Sequence, residues 1–264
     1  MAGTAKNILL LLSLLASLVL TMGNGFAGEP VGPEFRLPDR SLYFQGRHIY
    51  ERRCVLCHGK RGNGQGEMSV GLEPKPRSFV KAEFKYRSTP YGKLPTTEDL
   101  VATVKGGVSG TGMGMFTTLS DREVRAVVEY VKFFSPKWRD VDNQALPIEV
   151  PPVPAWMTHA DKDQQRLNRG RLLFGQTCVP CHGEAGDGNG PNAGELKDHL
   201  GRPIRPANLV APHLRTGIRP EQLFKTISTG LNGTPMPGFH GVLSGEQRWE
   251  IIAHILRLRS GNNR

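Results

Sequence analysis

Cys54-Val55-Leu56-Cys57-His58 and Cys178-Val179-Pro180-Cys181-His182 contain every cysteine of the 264-residue chain. Four cysteines in an exported protein are read by default as two disulfides. The spacing argues otherwise. Each C-x-x-C pair is followed at once by histidine, which a thioredoxin-like redox pair does not require and a four-cysteine zinc site leaves unexplained. C-x-x-C-H is the attachment signature of heme c. Two thiols three residues apart on one helical turn reach the two vinyl groups on one porphyrin edge and form thioethers. The next residue then lies under the ring, where its imidazole binds iron. The expected cofactor is heme c, two copies, covalently held by Cys54 and Cys57 with His58, and by Cys178 and Cys181 with His182.

The second motif follows the first by 124 residues, and other features repeat at that offset. Gly46-Arg47-His48-Ile49-Tyr50 maps onto Gly170-Arg171-Leu172-Leu173-Phe174. Gly62, Gly64 and Gly66 map onto Gly186, Gly188 and Gly190. Thr97-Glu98-Asp99-Leu100 matches Pro220-Glu221-Gln222-Leu223 at offset 123, as Gly110-Thr111-Gly112-Met113 matches Gly233-Thr234-Pro235-Met236. Leu119-Ser120 returns as Leu243-Ser244, while Pro76 and Pro206 align only at offset 130. Matched order and spacing make this a duplicated domain.

The 32 Gly and 20 Pro residues make about a fifth of the chain, and only 7% is aromatic. Such a chain builds a weak core from protein alone and is expected to pack around a non-protein group. Helical patterns lead into each motif through Leu42, Ile49 and Tyr50, and through Leu167, Leu172, Leu173 and Phe174. Short helices are expected from Thr97 to Gly106 and from Pro220 to Gly230. Ser120 with Glu123 reads as a capping box opening a helix with Val124, Val127, Val128 and Val131 on its apolar face. Ser244 opens its copy. No segment shows strand periodicity, so the predicted fold class is all-α. Residues 136–163 carry Pro147, Pro151, Pro152 and Pro154 and read as a semi-rigid, polyproline-like spacer. The expected divisions are a signal peptide at 1–27, a first domain at 28–135, the Pro-rich linker at 136–163 and a second domain at 164–264. The signal rests on Lys6, the apolar run Ile8–Leu20 and small residues before a cleavage point after Ala27. That run falls short of the roughly 20 apolar residues of a membrane-spanning helix, so no span is expected in the mature chain and the address is the periplasm. Retention as an anchor is the alternative.

This pattern resembles the class I c-type cytochrome fold in its tandem, diheme form, over residues 40–260. The resemblance implies that the first and last helices of each copy cross, with Gly46 and Tyr50 meeting the helix around Val127–Val131. It also implies a methionine as the second axial ligand: Met236, 54 residues beyond His182 between two prolines, and in the first copy Met113, with Met115 as its rival. Met68 is too near His58 in sequence to reach the opposite face. His48 precedes Cys54 on the same helix, and His254 takes the place of Tyr130. His199, His213 and His240 have no counterpart in the first copy, and His240, near the Met236 loop, is the competing ligand. By the same resemblance the Pro76 and Pro206 carbonyls are expected to orient the proximal histidines. Arg87 and Arg215 are candidates to pair with heme propionates.

The formal charge of +10, from 34 Lys and Arg against 24 Asp and Glu, is spread along the chain. With export, that dispersion argues against nucleic acid and for steering toward protein redox partners, acidic ones among them. The implied activity is electron transfer between respiratory partners, with no catalytic residues, as a free carrier or as the heme subunit of a larger oxidoreductase associated with a membrane respiratory complex. Diheme cytochrome c peroxidase, which needs an open iron, is the enzymatic alternative.

Overall fold

The computed structural model describes residues 40–261 and shows the duplication as two matched sets of four helices. The first set is α1 (Arg40–Arg53), α2 (Val55–His58), α3 (Thr97–Gly106) and α4 (Asp121–Lys132). The second is α5 (Gln164–Thr177), α6 (Val179–His182), α7 (Pro220–Thr229) and α8 (Gly245–Gly261). Short 3-10 turns complete the described elements, and the isolated bridge between Lys197 and Pro203 is no more than a pinched loop. The all-α expectation holds. The signal-peptide reading, 1–27, lies outside the described residues.

In each set the first helix packs on the last. At the crossing a Cβ on Gly46 would stand 2.0 Å from the Ala126 carbonyl oxygen, and one on Gly170 would stand 2.1 Å from that of Glu250. No side chain fits there, so glycine is what lets the two backbones touch. Around the crossing Tyr50, Val124, Val127 and Val128 are buried in the first copy, and Phe174, Ile251, Ile252 and Ile255 in the second. Tyr130 meets Tyr50 ring to ring at 5.3 Å, and His254 meets Phe174 at 5.1 Å. His254 is therefore a packing residue. The second crossing carries an added ion pair, with Arg169 Nε donating to the buried Glu250 carboxylate at 2.8 Å.

Caps set the helix starts. Ser120 and Glu123 bond reciprocally at α4, Thr96 and Asp99 do so at α3, and Ser244 and Gln247 at α8.

Residues 136–163 depart from a free spacer. Trp138 is buried in the first core, against Phe84 at 6.0 Å, while Val150, Val153, Trp156 and Met157 pack on the second. The prolines keep the intervening stretch extended, but the large apolar side chains on either side of it give it two cores to bury into. The described residues accordingly belong to one compact unit.

Candidate heme sites and the loops that face them

Each C-x-x-C-H motif is one helical turn. Cys54 ends α1 and caps α2, so the Cys57 and His58 amides both donate to its carbonyl, at 3.2 and 2.9 Å. The second motif repeats this at 3.2 and 2.8 Å. All four thiols are unpaired with one another and half-buried. Burial, with Cys57 adding, pushes the Cys54 thiol up to about 12; burial also raises Cys178. Both begin as neutral thiols in an apolar wall.

The loop after each motif folds on its own carbonyls. Gly64 N–H bonds to His58 O and Gly66 N–H to Cys57 O, at 2.9 and 3.1 Å; Gly188 and Gly190 do the same to His182 and Cys181 at the same two distances. Tyr50 adds a bond from its hydroxyl to Gly59 O at 2.7 Å, which Phe174 cannot copy.

His58 Nδ1 lies 3.0 Å from the Arg77 carbonyl, and His182 Nδ1 lies 3.0 Å from that of Ala207. A carbonyl only accepts, so Nδ1 carries the proton and Nε2 keeps its lone pair free. Burial lowers both histidines below their ordinary values, outweighing the upward pull of those carbonyls, so the neutral, metal-binding form prevails. The orienting carbonyl is thus one residue beyond the expected Pro76 and Pro206. Those proline carbonyls turn toward the loop glycines instead, 2.5 Å from a Cβ on Gly64 and 2.9 Å from one on Gly188. His58 also stacks on Phe79 at 4.4 Å, a contact sequence reasoning missed; Leu209, bonded to Gly186 O as Phe79 is to Gly62 O, takes that place in the second copy.

The Gly-Thr-x-Met loops match bond for bond. Val108 N–H donates to Met113 O at 2.9 Å and Met113 N–H to Thr111 Oγ1 at 3.1 Å. Leu231 N–H donates to Met236 O at 3.1 Å and Met236 N–H to Thr234 Oγ1 at 3.2 Å. Phe116 and Phe239 then bond back to Val104 and Ile227 on α3 and α7. Met113 and Met236 are half-buried, whereas Met115 is 70% exposed. His240 and His213 are exposed, and His48 lies on α1 beside Arg52. His199 is exposed and lies against the Met236 loop, with its amide 3.2 Å from Gly233 O.

Arg87 departs from the propionate expectation. It is 2% exposed, and its guanidinium donates to main-chain carbonyls: Nη2 to Thr229 at 2.6 Å, Nη1 to Gly230 at 3.2 Å and Nε to Pro90 at 3.3 Å. It bridges the two copies rather than standing free for a propionate. A buried arginine aimed at carbonyls 142 and 143 residues away leaves no local signal in sequence. Arg215 is exposed, with Nε 3.9 Å from the position of a Cβ on Gly110.

Two thiols and a tautomer-fixed imidazole on one turn, duplicated along the chain, are the donor set of a covalently attached heme. These residues fit the group. The molecule is a diheme c-type cytochrome, with two cytochrome c domains in tandem. It belongs to the family described as cytochrome C oxidase, cbb3-type, subunit III, whose model matches residues 43–131 and again 165–255. A 96-residue stretch, 36% of this chain, is 28% identical to the Cbb3-type cytochrome c oxidase subunit CcoP of Azospirillum brasilense, and spans 30% of that relative's length. The fold is shared with a chain of the Kuenenia stuttgartiensis reducing HAO-like protein complex Kustc0457/Kustc0458, at TM-score 0.74 and 30% identity, over 85% of this chain and 99% of that one. The family role is electron transfer by c-type heme. Among the described residues no helix is long and apolar enough to cross a membrane.

Proposed function

We propose that the chain is a periplasmic electron-transfer protein in which both irons are ligated by histidine and methionine: His58 with Met113, His182 with Met236. The matched hydrogen bonding of the two Gly-Thr-x-Met loops carries this reading. It gives Met113 and Met236 the same backbone frame, which Met115 does not share. Bound heme supplies a one-electron ferric/ferrous couple, whose potential rises under His/Met ligation. The protein's part is to hold. Cys54, Cys57, Cys178 and Cys181 anchor, the Arg77 and Ala207 carbonyls fix the imidazoles, and the threonine hydroxyls pin the methionine amides. Pro235 and Pro237 stiffen the second loop, so its sulfur needs little reordering between oxidation states. Arg215, exposed beside the first loop, is the arginine we assign to a propionate.

The same reading makes the chain the heme subunit of a larger oxidoreductase, supported by its likeness to a subunit of an oxidase and to a chain of an HAO-like complex. With two filled irons it relays electrons to protein partners, and the dispersed positive charge favours acidic ones.

A redox titration followed by absorbance tests the ligands. Met236→Ala should lower the potential of one heme and remove half of the far-red sulfur-to-iron charge-transfer band. The unaltered protein should bind carbon monoxide poorly at both ferrous irons. Ready binding at one iron would favour a peroxidase-like open site, and an unchanged titration would remove Met236 as ligand.

A further inference from the structure

The two ligand loops are built alike but braced differently. The second loop is gripped from the first domain at four points. Arg87 donates to the Thr229 and Gly230 carbonyls, where α7 ends and the loop begins. Asn232, 3% exposed, accepts from Gly92 N–H at 2.9 Å and donates to Lys93 O at 3.1 Å. Tyr91 donates its hydroxyl to Thr234 O at 3.1 Å, and Thr234 is the residue whose side chain pins the Met236 amide. Gly230 has φ +64°, and a Cβ on it would stand 2.4 Å from the Pro237 carbonyl carbon, so the gripped carbonyls lie directly under the Met236 segment.

The first loop lacks this. Ser109, in the place of Asn232, is exposed, and Gly112 rests on Leu72 of its own domain. Among the described residues, the second domain approaches it through Arg215 without a hydrogen bond.

We infer that Arg87, with Tyr91 and the Gly92–Lys93 turn, is a positioning element supplied by the first domain for the sixth ligand of the second heme, so that Met236 ligation belongs to the two-domain unit while Met113 ligation belongs to one domain. This rests on the assignment of Met236 as ligand. The physical basis is charge-assisted hydrogen bonding from a buried guanidinium. Burial pushes Arg87 down to about 10, which still leaves it charged at neutral pH, and its guanidinium carbon lies 5.6 Å from the Tyr91 ring centre. While Arg87 is in place, any departure of the loop strands a buried charge; removing the guanidinium lifts that cost and frees the loop to swing its sulfur away.

The test uses the full-length, heme-loaded protein and the rate at which cyanide displaces the sulfur from each ferric heme. Met236→Ala, in parallel, identifies the phase belonging to the second heme. Arg87→Ala should speed that phase about tenfold, the factor expected for losing a charge-assisted bond, with the other phase unchanged. Arg87→Lys should recover part of it. A change in charge alone would shift the second potential without speeding cyanide uptake, and that result overturns the inference, as does equal acceleration at both hemes. Should Arg87→Ala not fold, Tyr91→Phe removes one donor from an exposed side chain and must show the same bias toward the second heme, or the inference fails. If Met236→Ala leaves both phases untouched, the ligand assignment falls and the brace with it. If Met236→Ala acts and the Arg87 and Tyr91 variants do not, the brace alone falls.

Discussion

At the scale of single residues, one hydrogen bond per site sets the proximal imidazole, and the proposed distal ligation of the first heme turns on a choice between two methionines. The imidazole bond goes to Arg77 in one copy and Ala207 in the other, so the side chain at that position is irrelevant and only its carbonyl matters. That explains why residue identity at the orienting position could not be read from sequence. Met113, the ligand we propose for the first heme, shares the frame of Met236, and Met115 faces outward. Met113→Ala should therefore lower the first heme's potential and remove its sulfur band, while Met115→Ala leaves both within error. Potentiometry with absorbance detection decides it, and the reverse pattern would exchange the two.

At the scale of elements, the crossings of α1 with α4 and of α5 with α8 hold each domain together. The glycine at each crossing leaves no room for a methyl group, with a backbone oxygen at 2.0 or 2.1 Å. The neighbour is backbone, which cannot turn aside as a side chain can, so the helices must separate. Gly170→Ala should cost about 3 kcal/mol, the upper part of the usual overpacking range. It should lower the holoprotein's melting temperature by several degrees. An unchanged melt would show that the crossing has slack. The helices themselves were legible from sequence because capping residues and apolar periodicity are local: the Ser120–Glu123 box forms as the spacing predicts. The roles of Trp138 and Trp156 in residues 136–163 were not, since proline content reports backbone stiffness and says nothing of which core a tryptophan reaches.

At the scale of the whole molecule, the domains are joined by polar contacts that place charge inside an interface. Asp99 is the second such point. It is nearly buried, yet it accepts from the Ser88 amide and hydroxyl at 2.7 and 2.8 Å and pairs with Lys225 of the other domain at 3.0 Å. Burial alone would raise its carboxyl; the Ser88 amide and Lys225 outweigh that and hold it below its ordinary 3.8. A carboxyl depressed in the folded state stabilises fully above its unfolded value, and that contribution is lost as pH falls through the folded one. The interface should thus be steady from neutral pH down to about pH 4 and loosen below it. Asp99→Asn should remove about 2 kcal/mol at neutral pH, the scale of hydrogen bonds to a charged group. It should also flatten that acid limb in a chemical-denaturation series. An acid limb unchanged in the variant would assign the loss to other carboxylates.

The sequence by itself determined the covalent chemistry, the duplication and the helices, because each is written in residues close together in the chain: two thiols and an imidazole within five positions, a cap three residues from its partner, a repeat at a near-constant offset. Packing of the folded chain settles which carbonyl turns each imidazole, which core each tryptophan enters, and that Arg87 reaches across to the Thr229 and Gly230 carbonyls of the other domain. Those outcomes depend on which distant backbone atoms come to lie within about 3 Å of a donor, and that proximity exists only once the two domains have packed together.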